Sequence, residues 1–263
     1  MNIIVTIKQV PDTNDVRIDP ATGTLIREGV PSIVNPEDRH ALEAAIALRE
    51  QAGGGKVTVL SMGPPQAEAA LREALAMGAD AAVLLSDRAF AGADTLATAC
   101  ALQHAVRKLG AVDLILCGRQ AIDGDTAQVG PQLAEFLGLP QITYVKQLRL
   151  EGGQLVAERH TEAGTQVVAC PLPAVVTCLK ELNQPRIPTL HGCLAAFREK
   201  PYTVWSAADI GAPPAMIGLN GSPTQVRRTF TPEPRGAVKM LAGSPREAVA
   251  QLVAALAGRN LVG

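Results

Sequence analysis

The run Asp113-Leu114-Ile115-Leu116-Cys117 is apolar at every position after the first. A helical pattern over 95–109 precedes this run, and a glycine-containing loop and a second helical pattern over 126–137 follow it. A strand with one solvated face alternates polar and apolar residues, whereas a strand covered on both faces is apolar at consecutive positions. The run is therefore predicted to be a central strand of a parallel sheet that lies between layers of helices.

The same alternation of strand and helix extends outward to the amino terminus. Strands are predicted at 3–7, 57–61 and 82–85, and helices at 36–51 and 66–77. Asn35 and Asp94 are the residue types preferred as N-caps, and Pro36 occupies the first helical position, where proline is favoured. This order of elements predicts an α/β, doubly wound and mostly parallel sheet.

After residue 140 the periodicity changes from the helical repeat to alternation. This pattern predicts an extension of antiparallel strands at 144–150, 154–159, 166–169 and 174–177. From residue 184 to about 243 the chain is rich in proline and no periodicity is visible. An irregular stretch of that length is uncommon inside a compact domain, so we expect a partner to order it.

The carboxyl-terminal residues predict one more helix. Ser244-Pro245-Arg246-Glu247 matches a capping box with proline at the first helical position. The helix that follows would place Val249, Leu252, Val253 and Leu256 on one face. An apolar stripe of this kind needs a surface against which to bury.

The composition excludes several classes of protein. The chain has 263 residues, of which 47% are hydrophobic and 3% aromatic, with 24 basic and 25 acidic residues. An intrinsically disordered protein is less hydrophobic, and a protein that binds nucleic acid by counterion release carries a basic surplus. No apolar run approaches the roughly 18 residues of a membrane span, and Met1 leads into a strand without a signal peptide. A cytoplasmic location is therefore expected.

The sequence offers no self-contained active site. The five cysteines are scattered and include no Cys-x-x-Cys pair, so they are expected to be core residues rather than metal ligands. The four histidines have unrelated surroundings, and His40 and His104 fall within helical patterns. Asp123 and Asp125 lack the spacing of a calcium loop, so no catalytic group and no metal site is predicted.

The loop after the run 113–117 is the main candidate binding segment. A helix N-terminus offers unpaired N–H groups and a partial positive charge, and Gly118 and Gly124 allow a ligand to approach the backbone. However, Asp125 with Gln128 also fits a capping box, and the loop is neither Gly-x-Gly-x-x-Gly nor a P-loop, so both interpretations stay open. The Asn35 cap and Ser61-Met62-Gly63-Pro64 are expected at the same sheet edge, where the three segments would form one crevice.

Several motifs together resemble the β subunit of electron transfer flavoprotein, also called the FixA type. The resemblance covers almost the whole chain, and only Ala163 departs from the signature. The matching motifs are Val5-Thr6-Ile7-Lys8-Gln9-Val10-Pro11-Asp12, Asn35-Pro36, Ala74-Leu75-Ala76-Met77-Gly78-Ala79-Asp80, the 118–131 loop and the family signature over 157–177.

The resemblance implies a fold of the adenine-nucleotide α-hydrolase type and an obligate heterodimer with an FAD-carrying α subunit. Redox activity would then arise only in the αβ complex. The β pocket would hold an adenine nucleotide, either AMP or a second FAD. Carried over by position, the pocket comprises Thr6, Asn35, Pro36, Glu37, Asp38, Met62, Gly118, Arg119, Gln120, Ala121, Ile122, Asp123, Gly124, Asp125, Thr126, Ala127, Gln128 and Val129.

The loop is more similar to that of the electron-bifurcating members. Housekeeping members place Asn-Gln-Thr where this chain has Ala127-Gln128-Val129. The resemblance thus implies a second FAD, reduced by NADH, that serves ferredoxin or flavodoxin and an acyl-CoA dehydrogenase or quinone route. AMP with simple electron transfer is one alternative, and a stand-alone nucleotide-binding module is another.

The resemblance also divides the chain. Residues 1–183 would form the nucleotide-binding domain, with antiparallel strands from about 142, and 184–197 a partner-recognition loop and helix in which Leu190 inserts into the dehydrogenase. Residues 198–263 would form an extended arm that ends in a helix packed on the α subunit.

Overall fold

The computed structural model describes residues 1–12, 31–227, 238 and 240–262. The strands in these residues are β1 (Asn2–Thr6), β2 (Gln9–Pro11), β3 (Ser32–Val34), β4 (Lys56–Met62), β5 (Ala81–Leu85), β6 (Leu114–Gly118), β7 (Gln141–Glu151), β8 (Gln154–Thr161), β9 (Gly164–Pro171), β10 (Ala174–Cys178) and β11 (Tyr202–Trp205). The α-helices are α1 (Pro36–Gln51), α2 (Glu68–Met77), α3 (Thr95–Leu109), α4 (Val129–Leu137), α5 (Leu190–Arg198) and α6 (Pro245–Ala257).

A nine-stranded sheet in the order β11-β5-β4-β1-β6-β10-β7-β8-β9 forms the centre of the fold. Strands β11 to β7 in this order are parallel, and β8 and β9 add an antiparallel hairpin at one edge. Helices α1 and α2 contribute to the core on one face, and α3 and α4 contribute on the other. The prediction of a doubly wound, mostly parallel α/β fold is confirmed.

Strand β10 corrects the predicted antiparallel extension. It pairs in parallel with both β6 and β7, and all five of its residues are buried. The sequence Ala174-Val175-Val176-Thr177-Cys178 is nearly continuous in apolar residues, as is typical of a strand covered on both faces. Within the nine-stranded sheet of the described residues, the antiparallel pairs are β7 with β8 and β8 with β9, and β2 and β3 form a separate antiparallel pair.

The stretch after residue 184 is more regular than its sequence indicated. It contains α5, and β11 extends the parallel sheet by pairing with β5. One compact unit spans Met1–Arg227, so 198–227 belongs to that unit and not to an arm that starts at 198. The reason is pairing: a four-residue strand gains its stability from a distant neighbour and leaves little periodic signal.

The second unit comprises residues 228–263. Its described residues are 238 and 240–262. The predicted capping box is confirmed, since Ser244 Oγ accepts from Glu247 N and the Glu247 carboxylate accepts from Ser244 N. Val249, Leu252 and Val253 of α6 are exposed. Among the described helices, none is long and apolar enough to cross a membrane.

The five cysteines divide into two groups. Cys100, Cys117, Cys170 and Cys178 are buried, as predicted for core residues, whereas Cys193 is exposed on α5. Cys193 falls within the stretch that the sequence left without a periodic pattern, so its exposure was not apparent before α5 was placed.

Helices α5 and α2 approach closely at Gly192. A Cβ atom at this position would lie 2.3 Å from the backbone oxygen of Ala76, in the last turn of α2. Only a glycine permits this spacing, because backbone atoms cannot rotate away as a side chain can.

We expect Gly192→Ala to lower the stability of the folded protein by about 1–3 kcal/mol, although alanine is the better helix former. The cause is the displacement of α5 from α2. The thermal unfolding midpoint measures the loss, and the exposed neighbour His191→Ala is the control, expected to change stability by less than about 0.5 kcal/mol. An unchanged midpoint for Gly192→Ala would contradict the close approach.

Candidate functional site

The carboxyl ends of β1, β4 and β6 lie side by side and carry three of the predicted site residues, Thr6, Met62 and Gly118. Thr6 lies opposite Leu60 on one side and Cys117 on the other. From β1 the chain proceeds through β4 to β5 in one direction, and β6 then returns to the other side of β1. Ligands of doubly wound sheets bind at such a point, where the strand order reverses.

Asn35 connects this edge to the loop that follows β6. Its side chain is 0% exposed, and Nδ2 donates to Gln120 O at 2.8 Å and to Asp38 Oδ1 at 3.0 Å. Its Oδ1 accepts from Ile122 N at 3.1 Å. Asn35 thus stands at the N-cap position of α1 but makes no side-chain cap, because its amide is used between segments that are distant in sequence.

The first turn of α1 adds two carboxylates to this connection. Glu37 accepts from Gln120 N at 3.0 Å and pairs with the Arg119 guanidinium at 3.1 Å. Asp38 Oδ2 accepts from Lys8 N at 2.8 Å. Asn35, Glu37 and Asp38, which we call the α1 polar cluster, are buried and join the loops after β1 and β6.

Gly118 is required by this packing. A Cβ atom on Gly118 would lie 2.2 Å from Asp38 Oδ1 and 2.8 Å from Asp38 N. The strand end therefore contacts the start of α1 at a distance that no other residue permits. The same approach allows Gly118 N to donate to the Asp38 carboxylate.

Burial raises the pKa of Asp38 from 3.8 to about 7, against the lowering effect of hydrogen bonds from Asn35, Lys8 and Gly118. Removal of the carboxylate from water penalises its charged form, and the neighbouring Glu37 adds a repulsion in the same direction. Asp38 therefore changes its charge near neutral pH.

The distal half of the loop, 121–128, has its acidic side chains occupied. Lys8 Nζ pairs with both Asp123 oxygens at 2.6 and 2.8 Å, and the Gln120 amide donates to Asp125 Oδ1. Thr95 Oγ1, at the start of α3, donates to Gln128 Oε1 at 3.0 Å. The loop is thus anchored to segments after β1 and before α3.

The backbone of this half-loop has an unusual conformation. Asp125 and Ala127 have φ values of 51° and 53°, a left-handed region that costs about 1–2 kcal/mol for a residue with a Cβ. Within the described residues, the N–H groups of Thr126, Ala127, Gln128 and Val129 have no hydrogen-bond acceptor. Helix α4 begins at Val129, and Asp125 does not cap it, so the capping-box interpretation and the predicted start at 126 are wrong.

The comparisons with known proteins identify the family. The electron transfer flavoprotein domain matches residues 22–210. The electron transfer flavoprotein subunit beta of Thermoanaerobacterium thermosaccharolyticum is 56% identical over 100% of both chains. The chain belongs to the β-subunit family of electron transfer flavoproteins. Subunit CarD of the caffeyl-CoA reductase-Etf complex of Acetobacterium woodii is 51% identical over 100% of both chains. FixA of Azorhizobium caulinodans is 51% identical over 89% of this chain and 86% of its own length.

Membership of the β-subunit family confirms the resemblance seen in the sequence and implies an α-subunit partner. The motifs that carried the resemblance include Asn35-Pro36 and the 118–131 loop, and the structure brings these two together through the α1 polar cluster. Thr6 and Met62 lie at the same sheet edge, while Leu190 begins α5 and is 80% exposed.

Two residues at the candidate site were not predicted from the sequence. Lys8 contacts Asp38 through its backbone and Asp123 through its side chain, and Thr95 contacts Gln128. Lys8 lies within the motif over 5–12 and Thr95 lies outside the motifs, but in both cases the partner is distant in sequence, so no local signal identified the contact. His40 lies instead against Asn183, and His104 is half-buried on α3. Among the described residues, no group of three or more His, Cys, Asp or Glu side chains is arranged for a metal ion.

The raised pKa of Asp38 predicts how stability depends on pH. Between about pH 4 and 7 the folded protein retains a proton that the unfolded chain has lost, so this group's contribution to stability falls as the pH rises over this range and is constant above it. We expect the unfolding midpoint of the αβ heterodimer to fall more steeply over this range than that of Asp38→Asn. Parallel plots of the unfolding midpoint against pH for the two proteins would contradict the assignment. The constant difference between such plots would reflect only the hydrogen bonds that Asp38→Asn removes.

Proposed function

We propose that this chain is the β subunit of an electron-bifurcating flavoprotein and binds a second FAD at the carboxyl edge of β1, β4 and β6. The observation that carries the proposal is the set of four N–H groups of residues 126–129, the end of the loop and the first residue of α4, without an acceptor in the described chain. Backbone N–H groups at a helix N-terminus are suited to phosphate oxygens.

The charges around the loop support an anionic ligand. Asp123 is neutralised by Lys8, and Asp125 accepts from Gln120, so neither carboxylate is directed at the N–H groups without a partner. The N–H groups and the partial positive charge of α4 are then available to the ligand, because neither carboxylate caps the helix. Gly124 leaves open space, since a Cβ there would meet nothing within 4 Å.

The side chains of the loop favour a pyrophosphate over the single phosphate of AMP. Ala127 and Val129 offer no polar atoms, so binding would rest on the backbone, Thr126 and Gln128, and the missing polar side chains leave room for the remainder of a flavin. When bound, FAD would accept a hydride from NADH. It would then pass single electrons to ferredoxin or flavodoxin and to the α-subunit FAD. This chain's own residues would hold and orient the dinucleotide.

The partners in this proposal are the α subunit and an acyl-CoA dehydrogenase or a quinone route. Ile187 and Leu190 are 86% and 80% exposed, which fits apolar anchors for a dehydrogenase. The Acetobacterium woodii relative is named as a subunit of a caffeyl-CoA reductase-Etf complex, which supports a partner that acts on acyl-CoA compounds. The exposed apolar residues of α6 would pack on the α subunit.

The flavin content of the purified αβ heterodimer tests the cofactor. We expect about two FAD per heterodimer after acid release, because both subunits would bind one. One FAD and one AMP per heterodimer would instead establish the housekeeping alternative and exclude bifurcation at this site.

A double variant tests the role of the loop side chains. Ala127→Asn with Val129→Thr restores the residues of the housekeeping type, and asparagine tolerates the positive φ of residue 127 better than alanine does. We expect the β-site FAD to be replaced by AMP. Glu135→Gln, at an exposed residue of α4 outside the pocket, is the control that should retain two FAD.

Leu190→Ala tests the dehydrogenase contact. We expect the KM of a purified butyryl-CoA dehydrogenase for the heterodimer to rise about ten-fold or more, because a buried leucine anchor contributes about 1.5–3 kcal/mol. Leu194→Ala, on the same helix and 46% exposed, is the matched control, and flavin content should be unchanged in both variants. Loss of flavin in Leu190→Ala would show that the residue is structural.

A further inference from the structure

The segment 183–190, which we call the recognition segment, contacts α1 mainly through polar groups. Asn183 Nδ2 donates to His40 O at 2.9 Å, and His40 Nδ1 lies 2.9 Å from Asn183 O. Three residues later, Arg186 reaches two carboxylates on the same helix. The segment then continues to Leu190, where α5 begins.

Arg186 makes five hydrogen bonds to Glu43 and Glu50. Its N and Nε both donate to Glu43 Oε2, at 3.0 and 2.9 Å, and a terminal nitrogen donates to Glu43 Oε1 at 2.9 Å. The guanidinium also donates to both Glu50 oxygens, at 2.9 and 3.2 Å. This geometry is bidentate toward both carboxylates, which adds directional restraint to the attraction of charges.

The two ion pairs differ in exposure. The side chain of Glu43 is 12% exposed, whereas that of Glu50 is 52% exposed. Exposed pairs contribute little because water screens them, so Glu43 is expected to supply most of the restraint. The hydrogen bond from Arg186 also lowers the pKa of the Glu50 carboxyl.

Apolar packing would not hold the segment in place of the hydrogen bonds from Arg186. A cavity of about 290 Å³ lies between α1 and the recognition segment, lined by Pro36, Arg39, His40, Pro185, Arg186, Ile187 and Pro188. Ile187 and Leu190 are directed outward and are 86% and 80% exposed. Without Arg186, the middle of the segment would therefore have little that fixes it against α1.

We propose that Arg186 is a positioning residue that fixes the recognition segment on α1, so that Ile187 and Leu190 are presented to the partner dehydrogenase in one arrangement. The proposal rests on the proposed role of Leu190. Ordering a mobile segment on binding costs free energy, and a segment that is already fixed avoids this cost. Loss of the Arg186 hydrogen bonds should therefore weaken association with the dehydrogenase and leave electron transfer within the complex unchanged.

The experiment uses the αβ heterodimer with Arg186→Gln, Glu43→Gln and Glu50→Gln, and butyryl-CoA dehydrogenase as the probe. For Arg186→Gln and Glu43→Gln we expect the KM for the heterodimer to rise about five-fold with kcat unchanged, and a smaller rise for Glu50→Gln. Arg186→Lys should restore part of the affinity, because it keeps the charge but loses the bidentate geometry.

The directions of the KM changes distinguish a long-range electrostatic effect from a positioning effect. Arg186→Gln and Glu43→Gln change the net charge of the surface in opposite directions, so a long-range electrostatic effect would move KM in opposite directions. A positioning role moves KM in the same direction. Arg198→Gln, at an exposed residue in the last turn of α5, controls for the loss of one positive charge.

Hydrogen exchange provides a readout that does not depend on the dehydrogenase. The backbone amide of residue 186, which donates to Glu43, and those of Gly192 and Cys193, which donate to Thr189, should exchange at least several-fold faster in Arg186→Gln than in the parent heterodimer. Unchanged exchange rates in Arg186→Gln would overturn the proposal. The proposal would also fail if Arg186→Gln exchanges faster but has an unchanged KM, while Leu190→Ala raises the KM. If Leu190→Ala itself leaves KM unchanged, the proposed dehydrogenase contact fails, and the exchange rates alone decide whether Arg186 fixes the segment.

Discussion

The candidate site depends on the burial of the α1 polar cluster. Asn35, Glu37 and Asp38 are removed from water at the start of α1, and a buried polar group is costly unless its hydrogen bonds are satisfied. Their partners come from the loop after β1 and the loop after β6, which are also joined by the Lys8–Asp123 ion pair. Satisfying these three side chains therefore fixes the two loops against each other and sets the position of the crevice between them.

Helix α1 has a second role along its length. Its first turn holds the crevice, while His40, Glu43 and Glu50 contact the recognition segment. One rigid element thus carries contacts to both the candidate nucleotide site and the candidate partner surface. A helix is suited to this role because its own hydrogen bonds keep residues at fixed spacings over several turns.

The accuracy of the sequence predictions follows the range of the interactions involved. Helices α1 and α3 and the Ser244 capping box were predicted closely, because caps and apolar periodicity act within a few residues. The parallel pairing of β10 and the existence of β11 were not predicted, since they depend on neighbours far away in the chain. The start of α4 was predicted too early because Asp125 adopts a left-handed conformation, which its residue type permits but does not require.

The sequence by itself determined the α/β class and the family, and it indicated the three segments of the candidate site, because each depends on local patterns or on motifs that are contiguous in the chain. Only the tertiary structure decided how Asn35 is used. By sequence it is an ordinary helix cap, but its amide bonds Gln120 and Ile122, which are more than eighty residues away. The tertiary structure likewise paired Lys8 with Asp123 and Arg186 with Glu43, because the partner of a charged side chain is set by the fold and not by its neighbours in sequence.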